Sequence, residues 1–195
     1  MKIGYYVQGT VDEAFVCGVV DRYCPHAKMQ EGLKRGRSKE TLRREIKKAL
    51  TDLVNYKSCD YVVVLTDSDE LNWQEVYKNE WEKVPEQYKH LTVFGVADRN
   101  IECWLALDHP ALAQELGCSV AAIPLDNPSG FIKRKFGLTS RDAVNEGKRR
   151  IREFVTRAPF HSWLATDKSF EHFWNQIWML SKHGDCLIPN ERDEN

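Results

Sequence analysis

The sequence predicts an α/β protein with a mainly parallel central sheet flanked by helices and a helical C-terminal part. Residues 2–7 form a β-rich run that ends in a glycine turn, and residues 11–23 then show helical spacing. Residues 61–65 form an uninterrupted apolar run, as expected of a strand covered on both faces. From His109 onward no convincing strand pattern appears. Strands that alternate with helix-length crossovers indicate parallel pairing.

The segment before the central run predicts a weak strand and an amphipathic helix. Residues 27–33 are the strand candidate. Ser38 fits the N-cap of the helix, because its hydroxyl can accept a hydrogen bond from the first turn. The apolar residues of this helix fall on one face, at Leu42, Ile46, Leu50 and Leu53.

The segment after the central run predicts one more strand and several helices. A helix over residues 71–87 is disturbed near Pro85. A strand over residues 91–97 leads to a short helix over residues 101–107, which Asp98 is expected to cap. Later helices are expected at residues 110–116, 141–155 and 168–181. We therefore expect an α/β domain over residues 1–108 and a helical extension over residues 109–195, packed together as one compact unit.

Composition excludes several classes of protein. With 195 residues, 42% hydrophobic and 29% charged, the chain is typical of a globular domain rather than a disordered one. The formal net charge of -1 excludes a uniformly basic nucleic-acid binder. No apolar run suits a signal peptide or a membrane span, so we expect a cytoplasmic protein without membrane attachment. The 6 scattered cysteines are interpreted as buried thiols rather than a disulfide or zinc framework.

Asp67 and Asp69 follow the central apolar run directly and are the first candidate site. In open parallel sheets, ligands bind beyond the carboxyl ends of the strands. Two carboxylates at this position suit a hard divalent cation, Mg²⁺ or Mn²⁺. The alternative is a solvated turn in which Asp67 caps the next helix.

Three segments at the predicted strand ends carry a shared pattern, namely VQGTVDEAF at residues 7–15, VLTDSD at 64–69 and RNIECWLA at 99–106. Together they resemble motifs of the Toprim fold, in particular of the overcoming-lysogenization-defect (OLD) nucleases and of small bacterial proteins of unknown function. The resemblance covers residues 1–108. It implies a metal-dependent nuclease in a bacterial or phage setting, with a role in defence against phage and an ATPase partner protein.

The resemblance also implies site residues. Asp12, Asp67 and Asp69 would bind Mg²⁺ or Mn²⁺, and Glu13 and Glu102 would complete the catalytic set. Alternatively, Asp12 and Glu13 are favourable charges in the first turn of a helix, and Glu102 lies on a helix surface. The first glutamate of the family pattern is Gln8 here, and an amide cannot ionise or transfer a proton.

A basic segment is the candidate nucleic-acid interface, because phosphate binding needs a local surplus of positive charge. Its candidate contacts are Lys34, Arg35, Arg37, Arg43, Arg44 and Lys47. A second basic cluster over residues 133–152 would extend this surface. The alternative for both is a solvated helix face. DNA and RNA are not distinguished by the sequence.

Three functions are compatible with these patterns. The first is a metal-dependent nuclease of Toprim type, and the second is a catalytically degraded Toprim module that serves as a binding or sensor subunit. The third is a D-x-D phosphatase of the haloacid-dehalogenase type, which normally carries that motif after its first strand. An aromatic stripe over residues 170–178 is expected in the core, or else forms a face for a partner or a second copy of the chain.

Overall fold

The computed structural model describes residues 1–33, 39–180 and 186. These residues form an α/β fold around a four-stranded, all-parallel sheet with the strand order β2-β1-β3-β4. The strands are β1 (Lys2–Val7), β2 (Lys28–Glu31), β3 (Tyr61–Asp67) and β4 (Thr92–Ala97). The predicted parallel sheet and helical C-terminal part are therefore confirmed for the described residues.

Ten α-helices surround the sheet in the described part of the chain. The helices of the first half are α1 (Thr10–Tyr23), α2 (Lys39–Thr51), α3 (Trp73–Trp81), α4 (Glu86–Lys89) and α5 (Ile101–Leu105). The second half contains α6 (His109–Leu116), α7 (Ser129–Lys135), α8 (Val144–Arg157), α9 (Phe160–Thr166) and α10 (Lys168–Leu180). A π-helical turn, Asp52–Tyr56, continues α2, and a 3-10 turn, Val120–Ala122, precedes α7.

Both faces of the sheet are covered. Alternate side chains of β3 point to opposite faces, so Val62 and Val64 pack against α2, α3 and α4. Val63 and Leu65 enter a larger core with α1 and α5 to α10. All four side chains are fully buried. This explains why the central run lacks polar residues.

Helix α10 lies along the outer strand β4. The backbone N–H of Phe94 donates to Gln176 Oε1 at 2.8 Å, and the N–H of Asp98 donates to Ser169 Oγ at 2.9 Å. The helix thus supplies hydrogen-bond acceptors for backbone N–H groups at the edge of the sheet, which would otherwise face solvent. The stripe on α10 is core, as predicted, at Phe170, Phe173, Trp174 and Ile177, while Trp178 remains 38% exposed.

The structure corrects several predicted helix boundaries. The helix expected over residues 71–87 is two helices, because Asn72 caps α3 and Pro85 starts a new segment at α4. Asn100, rather than Asp98, caps α5, since its side chain accepts from Cys103 N. Helices α7 and α9 were not predicted; each has 7 residues, too few to show a clear period. Ser38 lies outside the described residues.

The cysteine prediction was wrong for one pair. Cys24, at the end of α1, forms a disulfide with Cys186, and both are buried in the larger core. The two are 162 residues apart in sequence, and such pairing follows from tertiary packing rather than spacing. Cys17 and Cys59 are buried free thiols, as expected. No helix in the described ranges is long and apolar enough to cross a membrane.

Candidate active site

The order of the strands leaves a cleft at the carboxyl edge of the sheet, between the connections that follow β1 and β3. Strands β1 and β3 are neighbours, but β2 lies on the outer side of β1 and β4 on the outer side of β3. The connections beyond their carboxyl ends therefore diverge and leave a crevice, the usual ligand position in open α/β sheets. This inner cleft has a volume of about 160 Å³ and is lined by Gln8, Gly9, Thr10, Val11, Asp12, Asp67, Glu102, Lys133 and Leu138.

Asp12 enters the inner cleft from the first turn of α1. Its carboxylate Oδ2 accepts a hydrogen bond from the N–H of Gly9 at 2.8 Å, which fixes the side chain across the start of the helix. The side chain is buried. Burial, together with the nearby charge of Glu102, raises the pKa of Asp12 to about 6 although the Gly9 N–H opposes the shift. Asp12 can thus exchange a proton close to neutral pH.

Glu102 and Lys133 form an ion pair in the same cleft. Helix α5 buries the Glu102 side chain to 4% exposure, and Lys133 Nζ of α7 lies 2.9 Å from its Oε1. Burial lowers the pKa of Lys133, but the attraction of Glu102, Asp12 and Asp67 outweighs burial and raises it. The charged side chains lining the cleft are Asp12, Asp67, Glu102 and Lys133, so negative charge exceeds positive charge.

Gln8 supplies a further oxygen. Its Oε1 is buried and has no hydrogen-bond partner among the described residues, although the residue lines the inner cleft. A buried amide oxygen without a partner is unfavourable, so a ligand that supplies a donor or a cation would stabilise it. Amide and carboxylate oxygens together are the donor set that hard divalent cations prefer. The donor chemistry of the inner cleft therefore fits Mg²⁺ or Mn²⁺.

The oxygen donors are not gathered into a compact cage. Among the residues that the structure describes, no group of three or more His, Cys, Asp or Glu side chains is arranged to hold a metal ion. The inner cleft thus combines suitable ligands with an ammonium group already seated beside one of them.

Asp67 and Asp69 face different clefts. Asp67 lines the inner cleft, and its Oδ1 accepts from Ile101 N at 3.2 Å. Asp69 lines an outer cleft of about 800 Å³ with Glu70, Leu71, Asp98, Arg99, Asn100, Asp126 and Asn127. The two aspartates of the predicted pair therefore do not converge on one cleft.

The backbone around Asp69 is held by contacts with the loop after β4. Asp69 and Arg99 both have left-handed backbone angles, with φ of 59° and 63°. Asp69 N donates to Arg99 O at 2.8 Å, and Arg99 N donates to the buried Ser68 Oγ at 2.9 Å. These hydrogen bonds tie the loop after β3 to the loop after β4. Asp69 lines the outer cleft from within this turn.

Glu13, another predicted catalytic residue, makes its side-chain contacts outside the inner cleft. Its Oε1 lies 3.1 Å from the hydroxyl of Tyr5 and 2.8 Å from Lys148 Nζ of α8. All three of Glu13, Tyr5 and Lys148 are at most partly exposed, and burial and the Glu13 charge raise the pKa of Tyr5. Glu13 thus links β1, α1 and α8, and it does not line the inner cleft.

The residues of the predicted basic interface have different surroundings. Arg43 Nη2 donates to the carbonyl oxygen of Asp67 at 3.1 Å, and Arg43 Nε lies 3.6 Å from Glu80 Oε1. Arg44 and Lys47 are exposed on the outer side of α2. Lys34, Arg35 and Arg37 lie outside the described residues.

The α8 part of the second basic cluster is paired with acids. Arg149 pairs with Glu146 and Glu153, and Lys148 pairs with Glu13. Arg150 and Arg152 pair with Glu115 and Asp21. The part of the cluster from Lys148 to Arg152 is therefore paired with acids, whereas Arg134, Lys135 and Arg141 are exposed.

Sequence patterns missed the position of Lys133. They placed it in the second basic cluster, whereas α7 brings it to Glu102 in the inner cleft. Its neighbours Arg134 and Lys135 carry the same charge and are exposed, so no local signal marks Lys133 as different. Comparisons with family models, with curated proteins and with solved structures found no match to this chain.

Proposed function

We propose that the protein is a divalent-metal-dependent, nuclease-like protein of Toprim type that acts on phosphodiester bonds of nucleic acids. The observation that carries the proposal is the buried Gln8 amide oxygen, which lacks a hydrogen-bond partner in the described part of the chain and lies in a cleft with Asp12, Asp67 and Glu102. This cleft lies at the point of the sheet where α/β proteins bind ligands. The order of the three motif segments along the chain also supports the Toprim relationship.

Gln8, Asp12, Asp67 and Glu102 are the residues that would hold Mg²⁺ or Mn²⁺. When bound, such an ion neutralises phosphate oxygens and lowers the pKa of a coordinated water. Asp69 and Glu13 are not assigned as ligands, because one lines the outer cleft and the other is held by Tyr5 and Lys148.

The side chains of the inner cleft supply the remaining chemistry. In the metal-free protein Asp12 has a pKa of about 6, so it is mainly ionised at neutral pH and available to a cation. The amide oxygen of Gln8 can accept a hydrogen bond from a water molecule in the cleft or bind the cation. Lys133 can donate to a phosphate oxygen and offset its charge. Arg43 holds the backbone at Asp67 by donating a hydrogen bond to the carbonyl oxygen of Asp67.

The motif resemblance supports a biological setting for this activity. We place the protein in the cytoplasm of a bacterium or in a phage context, in defence against phage. An ATPase partner belongs to the same proposal, because the chain itself has no phosphate-binding G-x-x-x-x-G-K-[ST] loop. Association of two copies of the chain is a further expectation.

Cleavage assays test the proposal. Purified protein is incubated with Mg²⁺ or Mn²⁺ and labelled single-stranded, double-stranded and structured DNA and RNA. We expect metal-dependent cleavage of at least one substrate, and a loss of about 100-fold or more in Asp12→Asn and Asp67→Asn. Asp98→Asn, in the exposed outer cleft, is the matched control and should retain activity. Absence of cleavage in every combination contradicts the nuclease proposal.

The inner cleft also favours a second candidate, a catalytically degraded Toprim module that serves as a binding or sensor subunit. Gln8 cannot ionise, and Lys133 already neutralises Glu102 without any metal. The Gln8→Glu variant separates the two candidates. If the module is degraded, restoring the glutamate produces metal-dependent cleavage that the original chain lacks. A variant that is no more active than the original chain counts against degradation.

A further inference from the structure

A second surface carries positive charge and an exposed aromatic ring. The outer side of α2 and the π-helical turn after it form a groove of about 600 Å³. We call it the α2 groove, and it is lined by Leu33, Arg44, Lys47, Lys48, Thr51, Asp52 and Tyr56. The groove is separate from both clefts at the carboxyl edge of the sheet.

Tyr56 is the most exposed of the large apolar side chains in the described ranges, at 80%. It is the last residue of the π-helical turn Asp52–Tyr56, which Leu53 anchors in the core. Turns of this kind are rare and frequently occur at functional sites. The ring therefore presents its face to solvent from a fixed backbone position.

The charges of the α2 groove complement a polyanion. Arg44, Lys47 and Lys48 are exposed along one side of the helix. The acid among the lining residues, Asp52, is paired with Lys57 at 2.8 Å. The groove thus combines several cations with a mostly apolar floor, to which Leu33 and Tyr56 contribute.

We infer that the α2 groove binds single-stranded nucleic acid, with a base stacked on Tyr56 and backbone phosphates on Arg44, Lys47 and Lys48. Aromatic rings and basic side chains along one groove are the usual means of binding single strands. A duplex is disfavoured, because paired bases are stacked on each other and their faces are not free to cover the Tyr56 ring. An acidic peptide offers the negative charge, but its charged residues carry no planar ring, whereas every nucleotide carries both a phosphate and a base.

The position of the groove connects it to the candidate active site. Helix α2 runs between β2 and β3 of a parallel sheet, so it starts at the carboxyl edge and ends at the amino edge. At its start, Arg43 contacts the carbonyl oxygen of Asp67, which lines the inner cleft. A strand that lies along α2 from Tyr56 is therefore led toward the inner cleft. Delivery of the bound strand to the inner cleft rests on the proposed nuclease function, but binding in the groove does not.

Fluorescence anisotropy with labelled oligonucleotides tests the inference. Single-stranded DNA and RNA, the matching duplexes and an abasic strand are titrated with full-length protein in EDTA, so that cleavage cannot occur. We expect Tyr56→Leu to weaken single-strand binding by about 5- to 100-fold, since stacking on one ring has this magnitude. Tyr56→Phe keeps the ring and should stay within about twofold. The abasic strand should bind all three proteins alike, because it has no base to stack.

A charge variant tests the phosphate contacts. Lys47→Gln/Lys48→Gln should weaken single-strand binding and reduce the slope of log affinity against log salt by about 1.4, or about 0.7 for each lost phosphate contact. Lys28→Gln/Lys78→Gln removes two exposed lysines outside the groove and should leave the slope unchanged.

Three outcomes overturn the inference: unchanged binding by Tyr56→Leu, equal loss on the abasic strand, or equally tight binding of duplex, heparin or a polyglutamate peptide. Single-strand binding that depends on Tyr56, found together with no cleavage under any metal condition, supports the groove and contradicts only the nuclease proposal.

Discussion

Lys133 Nζ lies 2.9 Å from Glu102 Oε1 inside the inner cleft, and the carboxylate is almost fully buried. The pair joins α5 to α7 and places a positive charge next to the carboxylates Asp12 and Asp67. A metal ion in this cleft therefore competes with an ammonium group for Glu102. The ion pair is stabilising only when no other cation is present, which gives the first prediction.

Removing the ammonium should favour metal binding and destabilise the metal-free protein. In Lys133→Gln, the carboxylates of the inner cleft lose their neutralising partner, so we expect a lower melting temperature in EDTA. We also expect about tenfold or greater tightening of Mn²⁺ binding, measured by calorimetry, and recovery of the melting temperature by millimolar Mn²⁺. Lys148→Gln removes a similar ion pair away from the cleft and is the control. Equal Mn²⁺ affinity in wild type and Lys133→Gln would argue against a metal in this cleft.

Asp12 should make the metal-free protein less stable as pH rises. Its pKa is about 6 in the folded protein, against 3.8 as the ordinary value, so the folded state keeps a proton that the unfolded state releases. The stabilising effect of this proton is complete below about pH 4 and is lost as pH rises through about 6. Above that pH a charged carboxylate is buried beside Glu102, while Lys133 offsets part of the repulsion.

Asp12→Asn tests this dependence, because asparagine can still accept from Gly9 N. We expect the unfolding free energy of the variant to exceed that of wild type by about 1 to 3 kcal/mol near pH 7.5. The difference should disappear near pH 4. Urea denaturation in EDTA at several pH values measures this difference in unfolding free energy. Asp98→Asn, which is exposed, should show no such trend. A constant difference between Asp12→Asn and wild type from pH 4 to 8 would contradict the raised pKa.

Ser169 should be a large contributor to the stability of the sheet edge. Its buried Oγ accepts from Asp98 N and from Trp104 Nε1, each at 2.9 Å, and donates to Asp167 Oδ1 at 2.6 Å. Ser169→Ala leaves the buried Trp104 Nε1 and the partly buried Asp98 N without this acceptor, so we expect a loss of about 2 to 4 kcal/mol in unfolding free energy. Ser119→Ala is the control, since Ser119 is exposed and makes no side-chain capping bond. Similar unfolding free energies for both variants would show that these hydrogen bonds contribute little.

The disulfide should stabilise the oxidised protein. Cys24 and Cys186 close a loop of most of the chain, so we expect reduction to lower the unfolding free energy by about 3 to 5 kcal/mol. Thermal denaturation with and without reductant measures the change, and Cys24→Ala/Cys186→Ala should lose the sensitivity to reductant. Cys118→Ala, at a free cysteine, should keep it. Titration of 6 thiols in the unfolded, unreduced protein would contradict the bond.

The sequence predicts the elements whose signals are local. The apolar runs of β1, β3 and β4 and the periodic face of α2 need only their own residues, and all four elements are present. Asp12 and Glu13 illustrate what a local sequence pattern does not predict, namely which of two neighbouring acids faces the cleft. They are neighbours, but helix α1 turns by about 100° per residue, so one faces the inner cleft and the other faces Tyr5 and Lys148.

The remaining site features depend on contacts between distant segments. Asp69 lines the outer cleft, and its backbone N–H donates to Arg99 O, 30 positions later in the chain. Lys133 reaches Glu102 only through the packing of α7 on α5. No spacing rule in the sequence encodes either contact. The acids of the inner cleft could thus be proposed from the sequence, whereas their grouping could not.

Mn²⁺ binding measured by titration calorimetry tests the central claim most directly. Three proteins are compared at neutral pH: wild type, Asp12→Asn/Glu102→Gln in the inner cleft, and Asp69→Asn/Asp98→Asn in the outer cleft. We predict one bound ion in the wild type and in the outer-cleft variant, and none in the inner-cleft variant. Binding that is absent from the wild type, equal in all three proteins, or lost only in the outer-cleft variant would contradict an inner-cleft metal site.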